Sequence, residues 1–83
     1  MLFDKRLFGE RLKEVRLKNG DKQPKVADLI EVSIPQVSDM ERGKKTTTLE
    51  KFALLCEHYK VSADYLLGLT DDPKPYGRKD ERT

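Results

Sequence analysis

The sequence has little that supports covalent chemistry. It holds one cysteine, one histidine and no tryptophan among 83 residues. A single cysteine excludes an internal disulfide. Cys56 falls within an apolar-periodic stretch, so a buried small hydrophobe is the expected role, in keeping with a reducing compartment. His58 lies two residues from Cys56 on one predicted helix, which points the two side chains to different sides and excludes a cysteine–histidine nucleophile pair. No HxxxH, CxxC or glycine-rich phosphate loop occurs, so neither a metal nor a cofactor is expected, nor an enzyme. No apolar run approaches the length of a membrane span. The start, MLFDKRLFGERL, breaks every apolar run with charge and does not read as a signal peptide. There is also no strand pattern, internal repeat or low-complexity tract.

Charge is plentiful, at 39% of residues, but the net value is only +2. Its distribution tells more than its sum: net +3 over residues 1–20, −2 over 21–43, +2 over 44–60 and −1 over 61–83. Two basic stretches flank a slightly acidic one, which by itself suits any solvated surface.

The length fits one small domain. Residues 4–19 are expected to form a first helix, with Phe8, Leu12 and Val15 on one face and Gly20 as its stop. Asp21 is placed to cap a second helix, Lys22 to Ile30, with Pro24 in its first turn and Val26, Ala27, Leu29 and Ile30 on its apolar side. Ser33 is placed to cap a third, with Pro35 in the first turn, Val37 and Met40 facing inward and Gly43 in the left-handed conformation that ends it. After a polar loop, Lys44 to Thr46, the pair Thr47 and Glu50 fits a capping box. Leu49, Phe52, Leu55, Cys56 and Tyr59 follow at helical spacing. Ser62 caps a last helix, Ala63 to Leu67, closed by Gly68. Gly9 is read as lying near a helix boundary. The expected fold is all-α, a compact bundle of about five short helices over residues 1–69. The two prolines, glycine and dense charge of residues 70–83 read as a polar, flexible tail.

The run Lys22 to Gly43, KQPKVADLIEVSIPQVSDMERG, has the length of two short helices joined by a tight turn, the form of a helix-turn-helix whose second helix enters the DNA major groove. The segments FGERLKEVRLKNG, then Gln23 with Ala27 and Leu29, then VSIPQVSDMERGK, then LEKFALLCEHYKVSADYLLGL, occur in order with short spacings. Together they make residues 8–69 resemble the phage repressor and Cro family of helix-turn-helix domains, also called the xenobiotic-response-element type.

The resemblance implies a lambda repressor-like five-helix bundle and a regulator, most often a repressor, that binds palindromic operators as a dimer. It implies that Gln23 touches the DNA backbone, that Ala27 is the small residue where the two helices cross, and that Ser33 to Arg42 form the recognition helix. It implies that Arg16 and Glu41 are a structural ion pair tying the first helix to the third. The loop Lys44, Lys45, Thr46 would lie against phosphates, with Lys22 and Arg42 beside it. On the recognition helix, Ile34, Pro35, Gln36, Ser38 and Asp39 are left to face bases once Val37 and Met40 turn inward. Ile34 and Pro35 would favour thymine methyls, Gln36 the edge of adenine, and Asp39 the amino group of cytosine. The implied partners are double-stranded DNA and a second copy; the chain has no long coiled-coil segment, so the homodimer is expected to be weak and to use Leu66, Leu67 and Leu69 at the end of the last helix. No membrane or small-molecule partner is implied, and the setting would be the cytoplasm of a bacterium or its phage, at the nucleoid.

Two features depart from the pattern. Glu31 stands where the family's turn usually has glycine, the residue that tolerates positive φ. The recognition helix carries Asp39 and no Lys or Arg before Arg42. Such acidity would suit a second reading, a helical protein-interaction module, antitoxin-like or adaptor, that keeps the fold without specific DNA binding.

Overall fold

The computed structural model describes residues 3–75. Five helices follow one another: α1 (Lys5–Lys18), α2 (Gln23–Ile30), α3 (Ile34–Glu41), α4 (Leu49–Tyr59) and α5 (Ala63–Leu67). The all-α bundle expected from the sequence is what forms.

All five helices end alike. In each, an N–H beyond the end reaches back five residues: Asp21 to Arg16 O, Val32 to Ala27 O, Lys44 to Asp39 O, Val61 to Cys56 O and Leu69 to Asp64 O, at 2.8–3.1 Å. This closure needs a residue in the left-handed region between the two partners. Gly20, Gly43 and Gly68 supply it three times; Glu31 (φ 58°) and Lys60 (φ 50°) supply it with side chains in place. The turn at Glu31 therefore keeps the geometry that suits glycine and carries strain instead of changing shape.

Starts are less uniform. Asp4 caps α1 by accepting from the N–H groups of Arg6 and Leu7. Ser33 and Ser62 cap α3 and α5 as expected. Two expectations fail. Asp21 does not cap α2, whose N-cap is Lys22 with no side-chain bond; its carboxylate is taken by Asn19 (3.1 Å) and His58 (3.2 Å). Thr48, not Thr47, caps α4, accepting from Lys51 N–H at 3.2 Å. The one-residue shift puts Glu50 out of capping-box register and leaves Leu49 at the helix's first position, 83% exposed rather than inward.

Phe8, Leu12 and Val15 of α1, Val26, Ala27 and Ile30 of α2, Val37 and Met40 of α3, Leu55 of α4, Val61, and Tyr65 and Leu66 of α5 form one buried cluster. Each large aliphatic or aromatic side chain removed from water contributes about 1.5–3 kcal/mol, the main term opposing chain entropy in so small a domain. Gly9 is not at a helix boundary but inside α1, where a Cβ would run into the carbonyl oxygens of Met40 and Glu41. Backbone contact between α1 and the end of α3 is possible only because that Cβ is missing.

Leu66 is fully buried, which removes it from the apolar patch expected on the outside; Leu69 remains 59% exposed and Leu67 half-buried. The chain is tied down beyond residue 69. Arg11 donates to the carbonyls of Tyr65 (2.7 Å) and Thr70 (2.8 Å) and to the carboxylate of Asp71 (2.9 Å), and it stacks 4.1 Å from the Tyr65 ring centre. Ser62 N–H donates to Pro73 O at 2.9 Å. The domain's contacts thus run at least to Pro73, and the charged end from Tyr76 onward lies outside the described residues.

Candidate nucleic-acid interface

Helices α2 and α3 pack against one another, and Val26, Ala27 and Ile30 of the first and Val37 and Met40 of the second all lie in the one buried cluster. With Val37 and Met40 buried, α3 turns Ile34 (45% exposed), Pro35 and Gln36 to solvent, while Ser38 and Asp39 lie half-buried at the edge of that face. The first turn of α3 is closed by a capping box. Ser33 Oγ accepts from Gln36 N–H at 3.2 Å, and Gln36 Oε1 accepts from Ser33 N–H at 2.9 Å. Pro35 fixes φ within the same turn.

The far end of α3 is fixed from inside the protein. Arg16 Nε and Nη2 donate to Glu41 at 2.6 and 2.9 Å, a two-point contact between side chains 8% and 3% exposed. The hydrogen bond to Glu41 holds the Arg16 guanidinium above its ordinary pKa, against the opposing effect of burial. Arg16 also donates to Asp21 O (3.2 Å), and Gln23 Nε2 donates to Glu41 at 3.1 Å. One carboxylate therefore links α1, the first residue of α2 and the last residue of α3. Behind it, Asp21 is held below the usual carboxylate range, first by the Asn19 hydrogen bond and then by His58 and Tyr59. The Tyr59 hydroxyl is buried beside Asp21, and burial, followed by that carboxylate, pushes its pKa well up.

Arg42 does not stand free. Its Nη2 lies 2.9 Å from Asp39 Oδ1, one turn back along α3. Lys22, Lys44, Lys45 and Thr46 are exposed. Lys45, Thr46, Thr47 and Thr48 line an open cleft together with Val32, Gln36, Met40 and Lys51. Lys51 donates to Ile30 O at 2.7 Å and so caps α2 from α4. Sequence reasoning missed this contact and the Arg11 clamp. For Lys51 one signal existed: a lysine in the first turn of a helix opposes the helix dipole, which implies an acceptor elsewhere.

Among the described residues no cluster of metal-ligating side chains occurs, and no helix is long and apolar enough to cross a membrane.

The helix-turn-helix family model matches residues 12–66. The chain belongs to that family, in its phage repressor and Cro branch. Among curated proteins it is 33% identical over 69 residues to an uncharacterized transcriptional regulator of Bacillus subtilis, YobD, covering 83% of this chain and 62% of that one. It is 37% identical over 61 residues to the regulator ImmR of the same species, covering 74% and 48%. The chain thus spans about half to three fifths of the length of these relatives. Among solved structures it resembles the restriction-modification controller protein C.AhdI of Aeromonas hydrophila, with TM-score 0.67 and 28% identity over 76% of this chain and 96% of that one. It resembles equally the P22 c2 repressor, solved with a synthetic operator, with TM-score 0.69, 28% identity and the same coverage. The family is one of transcription regulators, not of enzymes.

Proposed function

We propose that the protein binds double-stranded DNA sequence-specifically and represses transcription from a palindromic operator, as a dimer that is weak in solution and completed on DNA. The observation that carries this reading is the presentation of α3. Its first turn is capped at both atoms of the box, exposed, and set against α2 by a buried two-helix contact. Recognition helices meet base edges with that turn. Ile34, Pro35, Gln36, Ser38 and Asp39 are the proposed base-facing set. Lys22, Gln23, Arg42, Lys44, Lys45 and Thr46 are the proposed phosphate contacts, Gln23 through the amide hydrogen that Glu41 leaves free. The relative solved on an operator supports the DNA reading.

A monomer covers one half-site, and two-fold dimers match half-sites about 34 Å apart. With Leu66 inside, Leu69 and the edge of Leu67 are the apolar surface left at the end of α5, which suits weak association. The acidity that suggested a protein partner is offset where it mattered, since Asp39 already has Arg42 for a counter-ion.

Selection from a random DNA pool, followed by gel retardation across a salt series, tests the reading. A two-fold-symmetric site with steep salt dependence is expected. No enrichment and no salt-dependent shift would overturn it and return the interaction-module reading to the front.

A further inference from the structure

The capping box of α3 decides what Gln36 can read. A glutamine amide has one acceptor and two donors, and its orientation follows from its partners. Here the partner is the Ser33 N–H, which can only donate, so Oε1 faces it at 2.9 Å. The backbone N–H of Gln36 donates to Ser33 Oγ at 3.2 Å, which closes the box and holds the side chain over the first turn. Nε2 is then the atom turned outward, and the residue is exposed.

We infer that Gln36 is a donor-only specificity residue that selects guanine, not adenine, at one position of each half-site; this rests on the DNA-binding reading above. Adenine's major-groove edge sets an acceptor, N7, beside a donor, N6, and pairs well only with an amide offering both oxygen and nitrogen. Turning Gln36 to do so breaks the bond to Ser33 N–H and strands that donor as the interface excludes water. A lone Nε2 instead meets two adjacent acceptors on guanine, N7 and O6, and meets a competing donor on adenine. The apolar neighbours Ile34 and Pro35 cannot supply the missing acceptor.

The test is random-pool selection with the wild-type chain, Gln36→Ala and Gln36→Glu, with thermal melts of all three. The base pair whose preference disappears in Gln36→Ala marks the Gln36 position. Guanine is expected there in the wild type, favoured over adenine on the order of tenfold. Gln36→Glu keeps an oxygen for Ser33 N–H, so its melting temperature holds, while its outward atom becomes an acceptor. Cytosine should replace guanine on the same strand. Adenine at that position in the wild type, guanine retained by Gln36→Glu, or no preference lost in Gln36→Ala would each overturn the inference. Absence of any selected site with the wild type would instead overturn the DNA-binding reading itself.

Discussion

Asp39 and Arg42 hold one another across a single turn of α3, Nη2 to Oδ1 at 2.9 Å, at the edge of the proposed base-facing surface. The side chains are 27% and 60% exposed, so the pair adds little stability. Its effect is on charge: the acid near the phosphates is offset, and the arginine is restrained from them. Asp39→Ala removes both. Binding to all sequences should rise as Arg42 is released and a phosphate-repelling charge goes. If Asp39 also accepts from a cytosine amino group, preference at one base pair per half-site should fall by roughly 1–3 kcal/mol. Titrations against the selected site and its single-base variants separate the two effects. A uniform gain with every preference intact would mean that Asp39 only restrains Arg42.

Lys44 and Lys45 follow the left-handed turn at Gly43 and are exposed. A lysine offers a point charge, which suits a phosphate and reads no sequence. Replacing both with alanine should weaken binding to all sequences alike and lower the slope of log affinity against log salt by roughly one to two units. A changed base preference in the double variant would place them on bases instead.

Glu41 carries more structural weight than either. Glu41→Ala would leave the buried Arg16 guanidinium unpaired and take a partner from Gln23. Breaking a buried pair from one side costs about 3–5 kcal/mol, a large share of what so small a domain has. Urea denaturation should show that loss. A loss below about 1 kcal/mol would mean that water reaches Arg16 once the carboxylate is gone.

How far these features could be read from the sequence depends on the range of the interaction. The caps Ser33 and Ser62 and the stops Gly43 and Gly68 were legible because cap and helix lie within a few residues. The start of α4 was not, because Thr46, Thr47 and Thr48 are chemically equal candidates and only packing chooses among them. Asp21 looked like a cap by the same local logic and lost that role to His58, thirty-seven residues away. The Arg16–Glu41 pair came through family resemblance, since nothing local links residues that far apart. The Arg11 clamp left no sequence trace, because two of its three acceptors are backbone carbonyls that any residue offers.

Asp21 gives the fold a pH dependence of known sign. Its carboxyl is held below the ordinary 3.8, chiefly by Asn19. The folded state therefore binds a proton less readily than the unfolded chain. The stability this contributes is fully present above about pH 4 and is lost as pH falls through the lowered folded value. Asp21→Asn removes the titrating group, so its stability curve should be flatter than the wild type's on the acid side of pH 4. Denaturant melts across that range check it; parallel curves would assign the acid sensitivity to other carboxyls.

Glu31 is where the helix-turn-helix turn works against its own side chain. With φ 58° and ψ 52° it sits in the left-handed region, which costs a residue with a Cβ roughly 1–2 kcal/mol. The turn tolerates this because both ends are fixed. Val32 N–H closes α2 onto Ala27 O at 3.0 Å, Lys51 holds Ile30 O at 2.7 Å, and Ser33 begins the capped turn of α3. The side chain is exposed, so its removal leaves no hole. Glu31→Gly relieves the strain but gives the unfolded chain more freedom, which offsets part of the gain. A net stabilisation of about 0.5–1 kcal/mol is expected, seen as a melting temperature higher by roughly 2–8 °C. Because φ and ψ are unchanged, α3 keeps its position and the selected DNA site should stay the same. A lower melting temperature would show that Glu31 contributes an interaction through its carboxylate worth more than the strain.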